Sequence, residues 1–279
     1  LLIDDNYFLI DCGEGTQMQL NRWKIRVNRL NHIFISHLHG DHYLGLVGLL
    51  STMHLNKRTE DLYLFGPPGL VEILTIQFKY SDTRLNYRVH FRELYPAREV
   101  ILENEHLTVE TIPLNHRIQC TGFLFREKPK NRRINKDLIP PDLSINQIRS
   151  LKKGKDLFDT SGKLLFANER LTLPPKKSRS YAYCSDTIYN EGIVEQIQKV
   201  DLLYHESTFL SDQELRAAET FHSTAQQAAT IAKMASVTKL VLGHYSSRYK
   251  DLSPLLEEAR AVFSNTILSI EGEDIEVEE

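Results

Sequence analysis

Four side chains able to bind a metal ion fall within six positions, in His37-Leu38-His39-Gly40-Asp41-His42, directly after the strand-like run from His32 to Ser36. Imidazole nitrogen and carboxylate oxygen together suit zinc, with manganese or iron as alternatives. On an extended stretch His37 and His39 project to one side, whereas the neighbours Asp41 and His42 diverge, so a single ion does not take all four. Two adjacent ions are the simpler solution. Three later donors stand at the ends of strand-like runs: His116 in Pro113-Leu114-Asn115-His116, Asp186 in Cys184-Ser185-Asp186-Thr187, and His244 in Leu242-Gly243-His244-Tyr245. We assign His37, His39 and His116 to one ion, Asp41, His42 and His244 to the other, and Asp186 as a carboxylate between them. Two ions about 3.5–4 Å apart hold a hydroxide and neutralise a phosphoryl oxygen, which favours phosphodiester hydrolysis. Asp41 is also a candidate to accept the proton of the attacking water.

An alkoxide leaving group needs a proton of its own, and Glu206 and His222 supply a candidate acid outside the ligand set. His222 precedes a helix start, where the helix dipole disfavours imidazolium; a nearby carboxylate restores the charged form and orients the ring. Two readings stand for Asp11, in Asp11-Cys12-Gly13-Glu14-Gly15-Thr16: it orients a ligand histidine, or it shapes a glycine-rich turn. His205 has two as well, support of the site or an ordinary buried polar residue. His32, His54, His90 and His106 lack comparable companions and receive no role.

The elements that must position these groups alternate along the chain. Strands are expected at Tyr7 to Ile10, His32 to Ile35, Leu62 to Phe65, Leu107 to Ile112, Thr121 to Phe125, Tyr181 to Cys184, Leu202 to Tyr204 and Lys239 to Leu242. Leu44 to Leu55 reads as a buried helix, and Leu70, Ile73, Leu74 and Phe78 form a one-sided helical stripe after Gly66-Pro67-Pro68-Gly69. Ser223 or Thr224 followed by Gln226 and Gln227 opens a helix with an alanine packing face, and Asp251 or Ser253 with Pro254 opens another, to about Phe263. Strands interleaved with helices give an α/β layered domain over 1–279.

The 279 residues, 41% of them hydrophobic, suffice for a substantial core. No run of about 18 apolar residues occurs and no basic region precedes an apolar stretch at the start, so neither a membrane span nor a signal peptide is expected. Cys12, Cys120 and Cys184 are sparse and without paired spacing, which favours a reducing, cytoplasmic setting. Cys184 reads as a small buried apolar residue rather than a ligand. The net charge of −3 is divided unevenly: 127–179 holds 14 Lys and Arg against six Asp and Glu, a net +8, leaving −11 elsewhere. This stretch also carries five of the ten prolines and is expected to be an inserted, projecting arm.

The motifs Ser36 to His42, Phe8 to Gln17, Pro113 to His116, Ser185-Asp186-Thr187, His205-Glu206-Ser207-Thr208, His222-Ser223-Thr224 and Gly243 to Tyr249 give the chain a resemblance. It resembles the metallo-β-lactamase superfamily and, within it, the ribonuclease Z family of transfer-RNA 3′-processing endonucleases. The resemblance implies an αββα sandwich, two zinc ions per subunit, a homodimer, and cleavage of precursor tRNA after the discriminator nucleotide to leave a 3′-hydroxyl. It maps metal binding onto the seven ligands above, general-base work onto Asp41, and proton donation onto His222 paired with Glu206. Ser246 and Arg248 fall where the family contacts substrate phosphate, and 127–179 where it carries an exosite arm that grips tRNA bound at the other subunit. A strand and glycine-rich turn before the equivalent of Leu1 are also expected from it. The alternatives are another phosphodiesterase or lactamase of the superfamily, opposed by the Glu206–His222 pair and the arm, and an RNA-binding protein without catalysis, opposed by the full ligand set.

Overall fold

Ile33 and Ile35 pack to one side and Phe34 to the other, all fully buried, so this extended stretch lies between two apolar layers. The computed structural model describes residues 1–3 and 5–278. Its first half runs β1 (Leu2–Ile3), β2 (Asn6–Ile10), α1 (Thr16–Arg22), β3 (Leu30–Phe34), α2 (Gly40–Tyr43), α3 (Leu46–Leu55), β4 (Leu62–Gly66), α4 (Leu70–Tyr80) and β5 (Val89–Glu93). The five strands form one sheet in sequence order, parallel from β2 to β5. Leu46, Leu49, Leu50 and Met53 of α3 and Leu70 and Leu74 of α4 cover the outer face with Ile33, Ile35, Leu62 and Leu64. The expectation of a buried helix at Leu44 to Leu55 is corrected at both ends: Leu44 lies exposed at the end of α2, before α3 begins, and Leu55 lies exposed at the end of α3, only one face of which meets the sheet.

The second half begins with β6 (Val100–Glu103), β7 (Leu107–Leu114) and β8 (Cys120–Glu127). It then passes through β9 (Arg133–Ile134), α5 (Ile145–Lys152), β10 (Leu157–Phe158), β11 (Leu164–Phe166), α6 (Asn168–Leu171) and β12 (Thr172–Leu173). It returns through β13 (Ser180–Cys184), β14 (Leu202–Glu206), α7 (Glu214–Thr220), α8 (Ala225–Met234), β15 (Lys239–Gly243), α9 (Ser253–Val262) and β16 (Thr266–Leu268). A seven-stranded sheet has the order β16-β15-β14-β13-β8-β7-β6, parallel from β13 to β16. The alanine face of α8 and Leu255 and Ala259 of α9 cover its outer side. Between the sheets Phe34 stacks on Phe65 with centroids 4.7 Å apart and meets Phe123 and Phe125 edge-on or tilted. These three apolar interfaces separate four layers, the expected αββα order.

The stretch 127–179 leaves the sandwich at β8 and rejoins it at β13, two strands that pair with one another (Ser180 opposite Arg126). It has more internal structure than its composition suggested. Leu151, Leu157 and Leu171 form a small core of their own, and Ser144 caps α5 through a reciprocal pair with Gln147. Glu127 fastens its base by a two-pronged ion pair with Arg179 and a third contact to Lys130.

Candidate metal centre and acid–base pair

The seven candidate ligands gather at one end of the sandwich, beyond the C-terminal ends of the parallel strands. His37 and His39 follow β3, Asp41 and His42 sit in α2, His116 follows β7, Asp186 follows β13 and His244 follows β15. Two glycines allow the close approach of the loops involved: a Cβ on Gly13 would collide with the Asp41 carbonyl, and one on Gly45 with the Gly13 carbonyl. Asp11, Phe221 and His244 hold left-handed backbone at φ 58°, 58° and 55°, a conformation that side chains adopt at a cost and that clusters at functional sites.

The donor atoms of His37, His39, His116 and Asp186 lie within 4.8 Å of one another, as do those of Asp41, His42 and His244. The expected reason for two sets, divergence of Asp41 and His42 along an extended stretch, is corrected. Asp41 and His42 occupy a helical turn rather than an extended stretch, and both reach the same set, with Asp41 Oδ2 3.3 Å from His42 Nε2. Asp186 stands between the sets: Oδ2 is 3.6 Å from His37 Nε2 and 3.8 Å from His116 Nε2, while Oδ1 is 3.4 Å from His42 Nε2 and 3.3 Å from His244 Nε2.

Hydrogen bonds at the back of each ring assign its tautomer. His42 Nδ1 donates to Asp11 Oδ2 at 2.8 Å, and His116 Nδ1 to the Phe221 carbonyl at 2.9 Å. His244 Nδ1 donates to the Thr208 hydroxyl at 2.9 Å, and that hydroxyl donates to Glu206. His37 Nδ1 is 2.9 Å from Ser36 Oγ, which donates onward to Asp11 Oδ2. Four rings therefore turn Nε2 inward, the nitrogen that offers a lone pair when the ring is neutral, and His39 turns Nδ1 inward, 3.0 Å from His37 Nε2 and 3.2 Å from His116 Nε2. Burial pushes His37 down to about 2 and lowers His116, so these rings stay neutral. In the other set burial is outweighed by Asp11 and Asp41 at His42, raised to about 10, and by Asp41 and Asp186 at His244, raised to about 8. His42 Nε2 is buried and without a hydrogen-bond partner, aimed among carboxylates. Convergent lone pairs, an orphaned inward nitrogen and a fixed excess of carboxylate fit divalent cations.

Glu206, fully buried at the end of β14, accepts His222 Nδ1 at 2.8 Å and the Thr187 amide at 2.8 Å on Oε1, and the Thr208 hydroxyl at 2.6 Å on Oε2. Burial pushes its carboxyl up, but His222 and these donors outweigh it and hold it ionised below its ordinary range. His222 lies beside both sets, its ring centroid 5.1 Å from His116 and 5.3 Å from His244, and by distance it also groups with Asp186 and His244. Behind it, Arg248 covers the Phe209 ring at 4.9 Å and donates to Ser246 Oγ. His205 joins neither set; its Nδ1 bonds the Glu206 carbonyl in the core. His32 is stacked between Phe8 and Tyr63, His90 pairs with Asp61, and His54 accepts the Asn86 amide, all with no part in either set.

Among curated proteins, a ribonuclease Z from Cytophaga hutchinsonii is 51% identical over 273 residues, covering 98% of this chain and 87% of that protein. The chain belongs to the ribonuclease Z family. A ribonuclease Z from Bacteroides fragilis is 50% identical, with 96% and 88% covered. The crystal structure of human tRNase Z, short form, superposes with a TM-score of 0.71 at 26% identity, covering 99% of this chain and 90% of that one. The metallo-β-lactamase fold protein YhfI from Bacillus subtilis follows at 0.65 and 19% identity, with 97% and 87% covered, a likeness of fold. The profile of a family described as "Anti-Pycsar protein Apyc1" matches residues 1–138. As a member of the ribonuclease Z family the chain is an endoribonuclease on a divalent-metal-binding fold.

Three contributors to the ribonuclease Z site escaped the sequence reading. Ser36 and Thr208 relay the two carboxylates to ring nitrogens, and Arg117 lies with a guanidinium nitrogen 3.5 Å from His39 Nε2. Arg117 follows His116 directly, and a cation next to a ligand was the signal that pointed to it.

Proposed function

We propose that this chain removes 3′ trailers from precursor tRNA, hydrolysing one phosphodiester and leaving a 3′-hydroxyl. The observation that carries the reading is the ionised Glu206 bonded to His222 beside both donor sets, a proton source that metal ligands alone do not provide. Two zinc ions, or manganese or iron, held by His37, His39 and His116, by Asp41, His42 and His244, and by Asp186 between them, would supply Lewis acidity toward the phosphoryl group and ease deprotonation of water. Asp41, with its side chain largely open to solvent and its carboxyl held well below the ordinary range by His244 and His42, takes the proton of the attacking water. As the bond from phosphorus to the tRNA O3′ breaks, His222 delivers its Nε2 proton to that oxygen and the trailer keeps the phosphate. Glu206 holds the ring in place through its bond to Nδ1. Ser246 and Arg248, behind His222, take a phosphate on the tRNA side.

The net +8 of 127–179 suits a tRNA backbone, which cations hold without regard to sequence. We read this stretch as an exosite arm serving the active site of a partner subunit. Exposed Met18 on α1 and exposed Leu55 on the neighbouring α3 offer apolar contacts for a homodimer. No helix among the described residues is long and apolar enough to cross a membrane, and the three cysteines are buried and unpaired, in keeping with action in the cytoplasm. The test is a 3′-extended tRNA transcript with zinc-loaded protein: a single cut at the discriminator is expected. Cuts scattered through the RNA, or none with metal bound, would overturn the assignment.

A further inference from the structure

His39 is the one ligand ring whose outward nitrogen is not bonded to a carboxylate, hydroxyl or carbonyl. Its Nδ1 faces His37 and His116, so its Nε2 carries the proton and points outward, and there it meets the Arg117 guanidinium at 3.5 Å. Both groups are donors, so the pair forms no hydrogen bond with itself. Arg117 is exposed, and among the described residues it has no carboxylate partner. Two donors side by side, one of them a permanent cation, are complementary to one anionic oxygen placed between them.

The position of this pair identifies which oxygen. Ring contacts run from His39 to His116 to His222 to His244, with neighbouring centroids 5.0, 5.1 and 5.3 Å apart. Arg117 thus stands at the end of the row remote from His222, the group that serves the departing O3′ of the tRNA. On the reading given above, His222, Ser246 and Arg248 serve the tRNA side, which leaves the opposite end of the row to the trailer. We infer that Arg117 and His39 Nε2 form a subsite for the first phosphate on the 3′ side of the scissile one, the linkage between trailer nucleotides 1 and 2. This rests on the tRNA-processing reading given above. Arg117 is a specificity-determining residue in it, favouring precursors with trailers of two or more nucleotides.

The experiment uses the zinc-loaded full chain and three tRNA transcripts: a one-nucleotide trailer, which lacks that phosphate, a four-nucleotide trailer, and a four-nucleotide trailer with a neutral methylphosphonate at that linkage. For the wild type, the four-nucleotide precursor should have the lowest KM. Arg117→Met should raise its KM about tenfold, the loss of one charge-assisted contact, and flatten its salt dependence by about one charge. The same variant should shift KM less than about twofold on the other two substrates, and Arg117→Lys should recover part of the loss. Metal content per chain should stay equal throughout. An equal loss on all three substrates, a fall in metal content, or no change on the four-nucleotide trailer would overturn the subsite. If the wild type cuts none of the three, the processing reading itself fails.

Discussion

Asp11→Asn separates the two roles open to this residue. At φ 58° the backbone tolerates Asn as well as Asp, so the turn survives the change. The carboxylate, however, collects four donors: the Ser36 amide at 2.7 Å on Oδ1, and the Ser36 hydroxyl, His42 Nδ1 and the Tyr183 hydroxyl at 2.8–2.9 Å on Oδ2. A carboxamide has one acceptor oxygen and must turn its NH2 either toward the Ser36 amide or toward the other three donors. In the first placement two N–H groups oppose each other; in the second His42 loses its acceptor and is free to carry its proton on the inward Nε2. A buried donor left unpaired costs about 1–3 kcal/mol and a hydrogen bond to a charge is worth about 1.5–3, so a loss of about 2–4 kcal/mol of stability is expected. Removing such an orienting partner also weakens metal binding by about 10–100-fold. Metal affinity is read by competition with a chelator and stability by urea unfolding of the same preparation. Unchanged metal affinity in a destabilised protein would refute the tautomer argument and leave Asp11 as a turn residue alone.

Further outcomes follow from the same geometry. His222→Ala should lower kcat on precursor tRNA by about 10²–10⁴-fold while retaining metal; loss of an ion instead would move His222 into the ligand set with Asp186 and His244. Gly13→Ala should cost about 1–3 kcal/mol or more and reduce activity, because the added methyl group meets the Asp41 backbone and must displace α2; a melting temperature and kcat matching the wild type would count against the close approach. Glu127 is pushed up by burial but held down to about 2 by Arg179 and Lys130, so it stabilises the protein above about pH 4.5 and loses that contribution as pH falls toward 2. The full shift corresponds to about 3 kcal/mol, reduced to about 1–2 by the partial exposure of both cations. The stability gap between wild type and Glu127→Gln should therefore close on acidification, and a gap independent of pH would exclude the ion pairs as its source.

Much of this site was legible because its ligands stand next to strands that read clearly. Ile33 to Ile35 and Leu240 to Leu242 are apolar runs, and the donors just beyond them had to emerge at a sheet end. Edge strands were harder. In Val89–Glu93 His90, Arg92 and Glu93 hide the strand's apolar positions, Val89 and Phe91, and β6 and β16 are only four and three residues long. Helix α5 lay in the segment read only as an inserted arm, although the Ser144 and Gln147 pair that caps it was present in the sequence. The roles of Ser36 and Thr208 depend on neighbours 25 residues away (Asp11) and 36 away (His244), distances that no local pattern spans.

Each donor set draws on both halves of the chain. His37 and His39 come from the first sheet's half and His116 and Asp186 from the second; Asp41 and His42 meet His244 in the same way. The Asp11–Tyr183 bond crosses the same junction. Neither half, folded by itself, owns a complete set, so a divalent ion held there would act as a rivet that could be driven only after the sheets have docked. Metal uptake would then report docking of the two sheets, and a bound ion would oppose their separation by mass action.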